Sequence, residues 1–174
     1  MLVSILAIFA YPNFSGFVQN GQIRASAESL MGGLALARAE SIRRNLTVAL
    51  RLDNTLRDEA VPGGTDWTVL AATPDAPTTP DQVVQVRRDD STRSSARAGL
   101  ADAPNADTAE PGSGLPATIA FTSMGRLSLT TTARQIDITG PAGSRALRIL
   151  IGPGGDVRLC DPALPLADNP QGCA

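Results

Sequence analysis

The 174-residue chain contains no histidine and no lysine. Without histidine it lacks the commonest general base, the commonest metal ligand and the usual partner of a nucleophilic serine. All 15 basic residues are arginine, set against 17 acidic residues for a formal net charge of −2. That balance gives no global attraction to nucleic acid or to an anionic membrane surface. Aromatics make up only 3% of the chain, so a core must be built from Val, Ile, Leu and Ala. The hydrophobic share of 43% argues against general disorder, and the length suits one domain with a real core. Cysteine is scarce too, with only Cys160 and Cys173. Two thiols without histidine make a poor zinc site. They bracket a segment rich in turn formers, for which a disulfide is the better reading and free thiols the other. A bridge closing a loop of that size stabilises a fold by about 3 kcal/mol in the chain-entropy model. It also implies an oxidising compartment such as the periplasm or cell exterior.

Catalytic and cofactor motifs are scarce as well. Asp89-Asp90 is a paired carboxylate, but it lies in a predicted loop beside arginines. Gly152-Pro153-Gly154-Gly155 is followed by neither Lys-Ser/Thr nor a helix, so it is not a phosphate-binding loop. No nucleophile–base spacing stands out. The expectation is a non-enzyme with no metal and no cofactor.

What is present is one long helical pattern, from Pro12 to about Asn45. Ala27, Leu30, Leu34, Ala37 and Ser41 recur at the spacing of a single helix face. Arg24 and Glu28 fall four apart on another face, and Glu40 lies within reach of Arg43 and Arg44. Such a helix is about 50 Å long at 1.5 Å per residue, too long to be buried whole in a chain of this size. Ahead of it, residues 1–11 (MLVSILAIFAY) carry no charge. The run is shorter than the roughly 20 apolar residues that span a bilayer. It also lacks the positive n-region and cleavage site of a secretory signal. It reads either as a buried helix start or as the end of a membrane segment, and the excess helix length favours the second.

After Asn45 the period turns alternating. Strands are predicted at Val48–Leu52, Trp67–Ala71, Val83–Val86, Ile119–Phe121, Leu127–Leu129, Ile136–Ile138, Leu147–Ile151 and Val157–Leu159, separated by Gly/Pro turns. The last three read as an antiparallel meander. Residues 89–116 are rich in Ser, Ala, Asp, Gly and Pro and read as an exposed, flexible loop. A helix followed by a run of strands is α+β. The inner faces are expected to be Leu30, Leu34 and Ala37 against Val48, Leu50, Ile119, Phe121, Ile138 and Ile149.

Three stretches together resemble the GspH/FimT class of type IV pilin-like proteins, the minor pilins and minor pseudopilins. They are Ala7-Ile8-Phe9-Ala10-Tyr11-Pro12-Asn13-Phe14, the helix-to-strand run from Leu34 through Asn45 to Val48, and the C-terminal strands. The C-terminal part comprises Ile119-Ala120-Phe121, Gly125-Arg126, Leu147-Arg148-Ile149 and Gly155 to Pro162. The resemblance implies a pilin-like fold. Residues 1–45 would be the N-terminal helix, with 1–11 a truncated hydrophobic membrane or filament segment, packed through its C-terminal half on a β-rich domain at 46–174. Leu2, Ile5, Leu6, Ile8, Phe9, Pro12 and Phe14 would serve the membrane and filament core. Aligned on Pro12, the family pattern implies about ten further mature residues ahead of Met1, a peptidase-processed leader and N-methylation.

The implied function is a minor pilin contributing to type IV pilus assembly or to a tip or priming complex. A type II secretion pseudopilin is the alternative, and a DNA-binding minor pilin of natural transformation a further one. Partners would be other pilins or pseudopilins through the helix, and the inner membrane before assembly. The globular domain would be periplasmic, and extracellular once in a filament. The Cys160/Cys173 pair points to the FimT and FimU types. Some members bind DNA through a C-terminal Gly-Arg-x-Arg motif. Here Gly155-Asp156-Val157-Arg158 puts aspartate where the first arginine stands. Arg145, Arg148 and Arg158 remain candidate DNA contacts, although ordinary solvent-facing strand positions are the preferred reading.

Overall fold

The structure, a computed structural model, describes residues 2–89 and 94–173, with helix side chains described from Ser15 onward. It comprises one helix, α1 (Leu2–Arg44), and ten strands among the described residues: β1 (Val48–Leu52), β2 (Thr55–Leu56), β3 (Glu59–Ala60), β4 (Trp67–Ala71), β5 (Gln82–Arg87), β6 (Arg97–Ala101), β7 (Ala117–Phe121), β8 (Gln135–Thr139), β9 (Leu147–Ile151) and β10 (Val157–Cys160). The α+β expectation holds, but the strands divide into two four-stranded antiparallel sheets and a small β2–β3 hairpin. Sheet order is β5-β4-β1-β7 in the first and β10-β9-β8-β6 in the second.

Both sheets pack on one stripe of α1. Ile23, Ala27, Leu30, Leu34 and Ala37 are wholly buried, as are Val48, Leu50, Ile119, Phe121, Ile138 and Ile149. The stripe mixes small and large side chains, and Gly33 sits where backbone and sheet come closest. A Cβ there would lie 2.7 Å from Leu50 Cδ1 and 3.1 Å from the Trp67 ring. Trp67 settles its indole N–H on Ser29 Oγ at 3.2 Å. The helix ends in a Schellman turn: Leu46 N–H donates to Ser41 O and Asn45 N–H to Ile42 O, both at 3.3 Å. Asn45 takes the left-handed φ of 57° that such a terminus requires.

Three expectations are corrected. The stretch 89–116, read as an exposed loop, contains β6, and β6 pairs with β8 along its whole length. Ala98, Gly99 and Leu100 are buried. Large apolar side chains are scarce there because the chain packs against itself: a Cβ on Gly99 would meet Glu110 O at 2.3 Å. Leu127–Leu129 is not a strand. Leu127 only bridges Phe121, and Leu129 is fully exposed. Arg148, read as a solvent-facing strand position, is instead turned inward toward Asp137 of the neighbouring strand. They are paired across β8 and β9 and buried, with Arg148 Nε donating to Asp137 Oδ1 at 2.7 Å. Residues 106–110 cover that face, and Ala109 N–H adds a 2.8 Å bond to Asp137 Oδ2.

Leu34→Asp places an unpaired carboxylate in the shared core and is expected to cost more than about 4 kcal/mol. The cooperative thermal transition should disappear, while Leu129→Asp at a fully exposed position should stay within about 0.5 kcal/mol of the parent. A Leu34→Asp protein with an unchanged melt would contradict this packing.

Candidate functional site

The helix leaves the body at a definite point. Ile23 is the first residue of the buried stripe, whereas Phe17 is 77% exposed and Val18 is exposed beside it. Two polar side chains tether the exit. Asn20 Oδ1 accepts the Arg145 backbone N–H at 2.8 Å, and Gln22 Oε1 accepts the Ser95 N–H and hydroxyl at 3.1 and 2.8 Å. From Leu2 to Gln19 the helix extends a further ~27 Å at its rise of 1.5 Å per residue. Leu2, Ile5, Leu6, Ile8, Phe9, Pro12 and Phe14 belong to this part of α1, but their side chains lie outside the described residues. Among the described residues, no helix is long and apolar enough to cross a membrane.

The other end of α1 is locked to both sheets. Arg38 Nε donates to Gly125 O at 3.1 Å. Gly155, at φ 81°, lies so close that a Cβ would stand 2.1 Å from the same oxygen. The turn after β7 and the turn before β10 therefore meet over one helical arginine, and Leu127 N–H donates to Pro153 O alongside at 3.3 Å. In the last helical turn Glu40 accepts from both Arg43 and Arg44 at 2.7 Å. These two guanidinium groups hold its carboxyl near pKa 2, against an ordinary value of 4.5. Arginines here also suit the negative end of the helix dipole.

Beyond β10 the chain forms a tail, residues 161–173, with no strand of its own. Three links fix it. A disulfide joins Cys160 to Cys173, with Cα atoms 5.1 Å apart. Arg145 Nε pairs with the buried Asp161 carboxylate, and Arg158 Nη2 donates to Gly172 O. Asp161 N–H donates to Gln171 O at 2.7 Å. Arg145, Arg148 and Arg158 are therefore not brought together as a free cationic surface. Arg148 is inside with Asp137, and the other two hold the tail. Sequence reading missed this use, as it missed the tethers at Asn20 and Gln22. The Gly125/Gly155 contact left a trace, since both glycines lie in turns flanked by strand patterns.

Residues 26–155 match the family model described as type II transport protein GspH. The chain belongs to the GspH family. Its fold is similar to that of the type IV minor pilin FimU of Pseudomonas aeruginosa, with a TM-score of 0.54 at 16% identity, covering 91% of this chain and 99% of that one. It is also similar to that of the minor pseudopilin EpsH of the Vibrio cholerae type 2 secretion system, with a TM-score of 0.50 at 17% identity, covering 82% and 99%. No curated protein sequence matches it significantly.

Two outcomes follow for this GspH-family chain. Replacing Cys160 and Cys173 together by serine should lower stability in urea by about 3 kcal/mol. An equal midpoint with and without the bridge would contradict a stabilising staple. Glu40 has a depressed folded pKa, so its contribution is full above about pH 4.5 and is lost as pH falls toward 2. Glu40→Gln should cost about 1 kcal/mol at neutral pH and flatten the acid loss in that window, read from melting temperature against pH.

Proposed function

We propose that the chain is a minor pilin-type assembly subunit. The observation that carries the reading is the division of α1. From Ile23 onward it is the spine of the globular body, whereas Phe17 and Val18 expose apolar surface on the segment ahead of the body. A large exposed apolar patch marks an interaction site. The sequence of that segment, apolar through Phe9 and bounded by Pro12 and Phe14, suits a place among like helices in a filament core. Before assembly the same segment would lie in the inner membrane, with the sheet domain in the periplasm. The disulfide agrees with that compartment. Its partners would be other pilins or pseudopilins, and the reading assigns it no catalytic residue.

Likeness to FimU supports a place in a type IV pilus, and the family description supports the second reading, a pseudopilin of a type II secretion machine. DNA binding has less support, because two of the three arginines offered for it clamp the tail and the third is buried. In the native bacterium, deleting the gene should abolish or reduce surface pili under the first reading, and reduce secreted enzyme under the second. Phe17→Cys in the complementing copy should cross-link to another pilin-like subunit under mild oxidation. A deletion that changes neither pili nor secretion, with no cross-linked partner, would overturn the proposal.

A further inference from the structure

One small pocket holds a side chain that the fold leaves unsatisfied. Ser94 is 6% exposed, and its Oγ is buried without a hydrogen-bond partner among the described residues. Buried hydroxyls are nearly always bonded, so an orphan calls for a partner from outside the chain. Ser94 lines a pocket of about 100 Å³ between α1 and the segment that follows β5. Thr65 and Ser94 are the buried floor, and Ala25 and Arg87 are the exposed rim.

The helix wall of the pocket presents donors. Gln22 Oε1 is occupied by the Ser95 N–H and hydroxyl, at 3.1 and 2.8 Å, which fixes the amide and leaves its Nε2 protons to give. Ser29 Oγ accepts the Trp67 indole N–H at 3.2 Å, so its own proton is left to give as well. Ser26 stands one turn on from Gln22, on the same face. Opposite them, the exposed Arg87 guanidinium has no ion pair or hydrogen bond among the described residues.

Charge decides the class of ligand. Of the described lining residues only Arg87 and Asp89 are charged, with opposite signs. Behind Asp89 stands the buried Asp66, whose Oδ1 accepts the Asp89 N–H at 2.8 Å. These carboxylates oppose an anion at Arg87, and the guanidinium opposes a cation. No aromatic side chain is among the described lining residues, so an apolar guest finds no platform. A neutral, oxygen-rich molecule is what converging hydroxyl, amide and guanidinium protons suit. The volume of about 100 Å³ gives roughly seven to ten water-sized positions, enough for one edge of a sugar ring.

We propose that this pocket binds the hydroxylated edge of a neutral saccharide. The sugar oxygens accept from Ser94 Oγ at the floor, from Ser26, Ser29 and Gln22 along the helix, and from Arg87 at the rim. Ligand binding then supplies the partner that Ser94 lacks. The site goes beyond the assembly role and rests on the folded body alone.

The test titrates the isotope-labelled full chain, in micelles of a detergent without a sugar headgroup, with D-glucose, D-galactose and N-acetyl-D-glucosamine, followed by NMR. At least one sugar should give saturable shifts of the Gln22 side-chain amide, the Arg87 Nε–H and the Ser94 backbone amide. Ser94→Ala should weaken that binding about tenfold, the scale of one lost hydrogen bond. Its melting temperature should hold or rise, because the hydroxyl removed has no partner in the free chain. Arg87→Gln should weaken binding comparably. Absence of a saturable shift with all three sugars would overturn the proposal. So would acetate, phosphate or free glycine saturating these signals where the sugars do not, which assigns the pocket to a charged ligand. A Ser94→Ala chain that melts lower yet binds the sugar as the parent does would also overturn it, by making Ser94 a packing residue. None of these readouts involves pili or secretion, so failure here is distinct from failure of the assembly role.

Discussion

The structure depends on one stripe of one helix being shared by two sheets. Ile23, Ala27, Leu30, Leu34 and Ala37 face both, so neither sheet has a complete core without α1. With apolar burial worth about 25 cal/mol per Å², the helix is the common wall of the hydrophobic interior rather than an appendage. Small residues set how closely the wall is approached: Ala27, Gly33 and Ala37 leave room for Leu50, Trp67 and the strands behind them. The contact of Arg38 with Gly125, and of Gly125 with Gly155, then closes the two sheets on each other at the far end. A helix held this firmly over its second half can carry its first half outward as a rigid extension.

The polar interior has a different role. Asp137 and Arg148 are buried together in the second sheet, where desolvation of two charges offsets much of their attraction. Their arrangement is nevertheless well bonded: Arg148 Nε, Ala109 N–H and Gln135 Nε2 all donate to the carboxylate. The same Gln135 Nε2 lies 3.4 and 3.3 Å from Ala106 O and Asp107 O. The pair therefore fixes where the 102–116 segment lies, and that segment covers the edge of β6. We read this as registry rather than net stabilisation, because an apolar replacement of similar volume would not specify the path of a segment so poor in large side chains.

Much of this was legible in the sequence, and the rest was hidden for identifiable reasons. The helix face, β1, β4, β8 and β9 carry large apolar residues at regular spacing, and burial follows that spacing. The helix end was legible through the change of period after Asn45, since the hydrophobic pattern there is local. Where a polar residue alternates with apolar ones, as Asp137 does, the pattern says only that it lies on the other face. Whether that face is wet depends on a segment nearly thirty residues away. The strand β6 was hidden because it is packed by backbone: Ala98 and Gly99 leave no hydrophobic signature, only room for Glu110 O. The disulfide was legible from scarcity, but the arginines that hold its tail were not, as Asp161 is remote in sequence from Arg145 and Gly172 from Arg158.

Those arginines bear on how the subunit divides its surfaces. A tail of thirteen residues without strand or core has little to hold it except what is placed there. The chain uses a covalent bond, an ion pair to a buried carboxylate and a guanidinium on a carbonyl. The ion pair neutralises the charge of Arg145, and the carbonyl engages the Arg158 guanidinium without neutralising it. A subunit that recognised phosphate would need those cations unpaired, because affinity for a polyanion scales with the number of free charges it neutralises. The fold has instead committed Arg145 and Arg158 to itself, on the side where the helix leaves the body and Asn20 meets the Arg145 backbone. The tail therefore braces the helix exit: β9 begins two residues after Arg145, and the strand that follows it ends at the bridged Cys160.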